Sequence, residues 1–185
     1  MLYCCEEVKP MISISYSMML TLISILWIAV RYLYNRGSRI SWKREAQLLL
    51  VYICIVVIVR FTFCPFGKVD GKIQPLIFYP DNWYPFRVNW KPFLYLFDYP
   101  TRKEVLLNLI GNSTMFLPVG IVWPCVFKKL DKPWKVIAAG IGFSVCIEIL
   151  QLPFYDRVTD IDDLILNSLG YLAGYGIWLL VKKKK

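Results

Sequence analysis

Five blocks of mostly apolar residues, at about 11–33, 46–63, 105–127, 136–152 and 164–181, each reach the roughly 17 to 25 residues that a membrane-crossing helix needs. The polar stretches between them differ in kind. A basic stretch follows the first block, a long aromatic one fills 64–104, a second basic one follows the third block, and an acidic one separates the fourth from the fifth. The pattern predicts an all-α integral membrane protein of about five transmembrane helices with a long aromatic outer loop, interfacial or re-entrant. Two N-terminal helices lie within 1–63, the aromatic, Pro-rich loop occupies 64–104, and a three-helix region occupies 105–185. The first block is too long, and Glu6 and Glu7 before it too acidic, for an ordinary cleaved signal peptide.

Composition agrees with a membrane protein. The 185 residues are 57% hydrophobic and only 19% charged, with a mean hydropathy of +0.49, more apolar side chain than a soluble domain of this size can bury. The net charge of +9 does not point to nucleic acid, because the basic residues flank apolar blocks instead of covering one soluble face. They set orientation instead. Arg31, Arg36, Arg39, Lys43 and Arg44 follow the first block, Lys128, Lys129, Lys132 and Lys135 the third, and Lys182 to Lys185 the fifth. Odd-numbered spans put all three clusters on one side, and the excess of Lys and Arg marks that side as the cytoplasm. The expected setting is the bacterial plasma membrane, multi-pass, with the N-terminus outside and the C-terminus cytoplasmic.

The chain has no histidine, so the commonest metal ligand and the usual general base are missing. Six cysteines (Cys4, Cys5, Cys54, Cys64, Cys125, Cys146) form no zinc-type spacing and imply no disulfide framework. No metal and no cofactor is expected. In the outer loop Phe78, Tyr79, Trp83, Tyr84, Phe86, Trp90, Phe93, Tyr95, Phe97 and Tyr99 are broken up by prolines. Such a stretch cannot span as one helix, but its rings suit the headgroup layer. It reads either as an interfacial belt or as a surface-lying lid over a site below.

Polar residues recur inside the last three blocks. Asn108 and Asn112 are four apart, as are Asp163 and Asn167, while Glu148 and Gln151 are three apart, so each pair shares one helix face. At 1.5 Å rise per residue, Asn112 lies roughly 10 Å, Glu148 about 6 Å and Asn167 about 5 Å from its outer helix end. All three fall in the outer half of a hydrocarbon core about 30 Å thick. They should face one another, since facing lipid leaves polar groups unpaired. The run 148–170 carries Glu148, Asp156, Asp160, Asp162 and Asp163 around Arg157, and ionisable groups at membrane depth mark functional sites by default. Packing explains part of this. Asn and Gln serve as interhelical glue, Asp160 suits the N-cap of the last helix, and Thr159 with Asp162 has capping-box spacing. Arg157 is the natural countercharge of Glu148, with Asp160 and Asp163 competing for it. Gly111, Gly120, Gly170 and Gly174 permit close helix approach, and Gly170 with Gly174 forms a small-xxx-small pair suited to a homo-oligomer.

Asn89-Trp90-Lys91-Pro92-Phe93, the Asn108 to Gly120 stretch with Asn112, Phe116 and Pro118, Glu148-Ile149-Leu150-Gln151, Arg157, Asp160-Ile161-Asp162-Asp163, Asn167, Gly170 and Gly174 also carry a family pattern. Over roughly residues 85 to 176 the chain resembles the VanZ-like family, small bacterial membrane proteins named after an accessory factor for resistance to the lipoglycopeptide teicoplanin. The position before the Asp-Ile-Asp-Asp run, aromatic in many relatives, is Thr159 here. The resemblance implies an envelope protein linked to glycopeptide tolerance and supplies no reaction. Binding-site candidates are Asn89, Asn108, Asn112, Glu148, Gln151, Arg157, Asp160, Asp163 and Asn167. The expected partner is a membrane lipid, a lipid-linked cell-wall precursor or a lipoglycopeptide antibiotic, with no nucleic acid. A membrane enzyme acting on a lipid headgroup or wall precursor through paired carboxylates, and an oligomeric transporter, stand as alternatives.

Overall fold

The computed structural model describes residues 11–36, 41–64, 68–69, 72–79, 87–93, 101–155 and 157–183. Its five helices are α1 (Tyr16–Asn35), α2 (Trp42–Phe63), α3 (Arg102–Val126), α4 (Pro133–Gln151) and α5 (Ile161–Lys183). Each is long and apolar enough to cross a membrane, as the apolar blocks predict.

Helix ends depart from the blocks for local reasons. Residues 12–14, apolar enough to be counted in the first block, instead form strand β1 (Ile12–Ile14), antiparallel to β4 (Leu76–Phe78). Ser15 separates the two structures, its hydroxyl accepting the Met18 N–H at 3.3 Å as an N-cap. Helix α2 begins before the apolar block because Glu45 in its first turn is held by Arg31 and Asn35 at the end of α1.

Helices α3 and α5 lie back to back through glycine. A Cβ on Gly120 would collide with the Tyr171 carbonyl, one on Gly170 with Ser113, and one on Gly174 with Leu117. Thus the Gly170/Gly174 face that the sequence offers for self-association is spent inside the chain. Gly111, expected at a close approach, has nothing near it. Helix α4 closes the other flank, with Gly140 against the Tyr171 ring. Ile58, Phe116, Val119, Val136, Ile147 and Tyr171 fill the core between α2, α3, α4 and α5. Helix α1 has no buried residue. It is fastened to α2 by the Ser24–Tyr52 hydroxyl pair at 2.7 Å and by Trp27 against Tyr52, and its Leu22, Ile25 and Leu26 face outward, as suits lipid.

The two ends of the bundle differ. At one, Arg44 donates to the Val126 carbonyl, tying the start of α2 to the end of α3. Nearby, Lys135 pairs with Asp131 at 2.7 Å and holds that carboxyl below its usual range, and Lys182 stacks on Trp178. At the other end, the described parts of the long loop form short strand pairs that the apolar pattern did not predict. Strand β2 (Lys68–Val69) pairs with β3 (Lys72–Ile73), and β5 (Val88–Asn89) runs parallel to β6 (Thr159–Asp160). Tyr79 N–H donates to the Pro153 carbonyl and Tyr155 N–H to that of Ile77, both at 2.9 Å. The loop is therefore stitched onto the α4–α5 connection. Of its ten aromatic residues between Ile73 and Pro100, Phe78, Tyr79, Trp90 and Phe93 fall within the described residues, with Trp90 and Phe93 exposed. Trp83, Tyr84, Phe86, Tyr95, Phe97 and Tyr99 lie outside them, as do Cys4, Cys5, Arg39, Asp156, Lys184 and Lys185.

Candidate functional site

The start of α5 organises the acidic end. Asp160 is its cap, with Oδ1 accepting the Asp162 N–H at 2.9 Å, which satisfies one of the free amides of the first turn. Both Asp160 oxygens also face the Asn89 amide nitrogen at 3.2 Å. The Thr159–Asp162 capping box does not form, because each residue has another partner. At the end of α4, Leu152 N–H closes back on the Ile149 carbonyl, and the Thr159 hydroxyl donates to the Glu148 carbonyl at 2.9 Å. Asp162 turns to the loop, where it accepts the Phe93 N–H at 2.8 Å. Phe93 reaches it with φ of 58°, a left-handed conformation uncommon outside glycine. Arg87 fastens this strap, donating to the Phe154 and Tyr155 carbonyls at 3.2 and 2.8 Å and stacking on the Tyr155 ring.

Below the cap, α3, α4 and α5 bring their polar faces together. Asp163 accepts hydrogen bonds from the side chains of Asn112 and Asn108. Glu148, only 5% exposed, accepts the Asp160 N–H at 3.2 Å and lies within electrostatic reach of Asp163. One turn deeper, the buried Asn167 donates to the Ser144 hydroxyl at 3.1 Å. Asn167 follows Asp163 by four residues on α5, and Ser144 precedes Glu148 by four on α4, so this pair is the next rung of one seam. The Asn167 amide oxygen is buried without a hydrogen-bond partner there.

One candidate is placed otherwise than expected. Gln151, expected on one face with Glu148, turns toward α2, where it donates to the Thr62 carbonyl at 2.9 Å. Arg157, for which Asp160 and Asp163 competed with Glu148, exerts its charge on Asp163 and on Cys64, while the charges felt at Glu148 are those of Asp163 and Asp160. Ser144, Thr62, Arg87 and the Phe93 amide join the site without being flagged by the sequence pattern. Ser144 was within reach of it, standing four residues before Glu148; a carbonyl such as that of Thr62 leaves no mark in sequence. Among the described residues no group of three His, Cys, Asp or Glu side chains is arranged to hold a metal ion.

Five membrane-length helices with buried acids and amides gathered at one end of three of them define a small multi-pass membrane protein with a polar interhelical seam. The VanZ/LLP1 family profile matches residues 49–182, and the chain belongs to that family. The match is wider than the motifs at 85–176 indicate, taking in α2 from residue 49. No curated protein and no solved structure matches the chain.

Proposed function

We propose that this protein binds the headgroup of an amphiphile (a lipid, a lipid-linked wall precursor or a lipoglycopeptide) in the outer leaflet of the bacterial plasma membrane, and so lowers sensitivity to teicoplanin-like antibiotics. The observation that carries the reading is the seam itself. Glue alone is satisfied by Asn and Ser, whereas Glu148 and Asp163 are two carboxylates of adjoining helices within electrostatic reach of each other. Carboxylates at this depth are costly unless a partner meets them. The basic end, where Arg44, Lys135 and Lys182 lie, supports the orientation; with that end in the cytoplasm, the seam would lie in the outer leaflet. A headgroup would enter sideways between helices while its chains stay in lipid.

The test is expression in a susceptible bacterium. Glu148→Gln and Asp163→Asn should each abolish protection against teicoplanin at unchanged membrane abundance; full protection by both variants would sink the reading. The same carboxylate pair favours a second reading, an enzyme using one as acid and the other as base on a lipid headgroup or wall precursor. Mass spectrometry of lipids from cells with and without the protein separates the two, since catalysis requires a product and binding does not.

A further inference from the structure

We propose that the group this seam accepts is a primary ammonium, a class of headgroup narrower than the amphiphile reading on which it rests. The seam gathers carboxylates and amides from three helices. Among the described hydrogen bonds, the donors to its acids are neutral: Asn112 and Asn108 on Asp163, the Asp160 amide on Glu148, Asn89 and the Asp162 amide on Asp160, and the Phe93 amide on Asp162. The charges that act on Glu148 are the two acids Asp163 and Asp160. Arg157 acts on Asp163, and the Arg87 guanidinium is turned to the Phe154 and Tyr155 carbonyls and the Tyr155 ring.

An independent observation points the same way. Asn167 is 1% exposed, and its amide nitrogen is committed to Ser144 while its oxygen meets no donor. It forms the floor of the seam, one turn beneath Asp163 and across from the Ser144–Glu148 face. A ligand that completes this set must bring both positive charge and N–H groups. A primary ammonium brings one charge and three donors. A quaternary ammonium has no donor, and a phosphate or glycerol headgroup has the wrong charge or none.

Purified protein in phosphatidylcholine nanodiscs, doped with phosphatidylethanolamine or phosphatidylglycerol of identical chains, tests this by native mass spectrometry of retained lipid. Phosphatidylethanolamine should be retained at least tenfold over both others, and Glu148→Gln and Asp163→Asn should each remove that preference. A second arm offers a lipid-linked wall precursor carrying a free lysine amine beside its N-acetylated form. Retention of only the free amine identifies the wall precursor as the source of the ammonium; retention of phosphatidylethanolamine identifies the phospholipid. Equal retention of all headgroups, acetylated form included, overturns the ammonium assignment and leaves amphiphile binding standing. Retention of none overturns both. The wild-type headgroup series decides the matter even if a variant fails to fold.

Discussion

Replacing Gly170 with alanine should separate α3 from α5, and the size of the effect can be worked from the contact. In an exposed helix interior, alanine gains about 1 kcal/mol over glycine. At Gly170 the new methyl would overlap the Ser113 backbone, with its carbonyl oxygen nearest, and backbone cannot rotate away as a flexible side chain would. The helices must move apart. Overpacking of this sort costs about 1–3 kcal/mol, and a gap of roughly 0.5–1 Å forfeits a quarter to a half of each dispersion contact beside it. The Asn112–Asp163 bond, one to two turns away along the same interface, would weaken with them. The net expectation is a loss of about 1–2 kcal/mol. Gly111→Ala is the matched control on α3: nothing lies near its Cβ, so it should be neutral or gain up to about 1 kcal/mol. Thermal unfolding of both variants in the same detergent reads the difference. Gly170→Ala melting at or above wild type would refute the account of the α3–α5 contact. A double Gly170→Ala, Gly174→Ala variant should cost less than the sum of its parts, because one displacement serves both sites.

Ser144→Ala should destabilise by about 1–2 kcal/mol in the same unfolding assay, since it removes the hydrogen bond that Asn167 makes and leaves a buried amide with neither group paired; adding Asn167→Leu should recover much of that loss. Arg87→Lys keeps the charge but loses the forked contact with two carbonyls and the Tyr155 ring, so limited proteolysis within residues 87–93 should speed up several-fold while the helices stay intact. Burial pushes the Cys64 thiol up, against the opposing charges of Arg60 and Arg157. Less thiolate is then present near neutral pH than for free cysteine, and labelling of native protein by iodoacetamide should rise only above the usual thiol range; a rate at pH 7 equal to that of free cysteine would contradict it.

What could be read in the sequence is what lies along one helix. A run of some twenty apolar residues is a one-dimensional signal, so all five spans were legible. The i, i+4 pairs Asn108/Asn112 and Asp163/Asn167 placed their faces; the structure joins the first pair to Asp163 across the helix interface. Illegible features are those set by a partner distant in sequence. Ile12–Ile14 is as apolar as the helix behind it, and only β4, more than sixty residues on, makes it a strand. Gln151 looked equivalent to Glu148 until the Thr62 carbonyl of α2 claimed it. Gly111 and Gly170 look alike in sequence, yet only Gly170 meets a neighbour.

The acids between α4 and α5 divide by geometry. Successive residues of a helix point about 100° apart, so Asp162 reaches the strap at Phe93 while Asp163, one residue later, turns to Asn112 on α3. Asp160, before the helix proper, can do neither and caps it. Glu148 belongs to both groups. Its carboxylate holds the Asp160 amide, and its backbone carbonyl holds the Thr159 hydroxyl, yet its charge faces Asp163. Any ligand that draws the Glu148 carboxylate into the seam must therefore compete with the Asp160 amide for it. Because the Asp160 side chain is joined to Asn89, that competition extends to the strap. Glu148 is thus the residue that joins the seam of the bundle to the strap at Asn89.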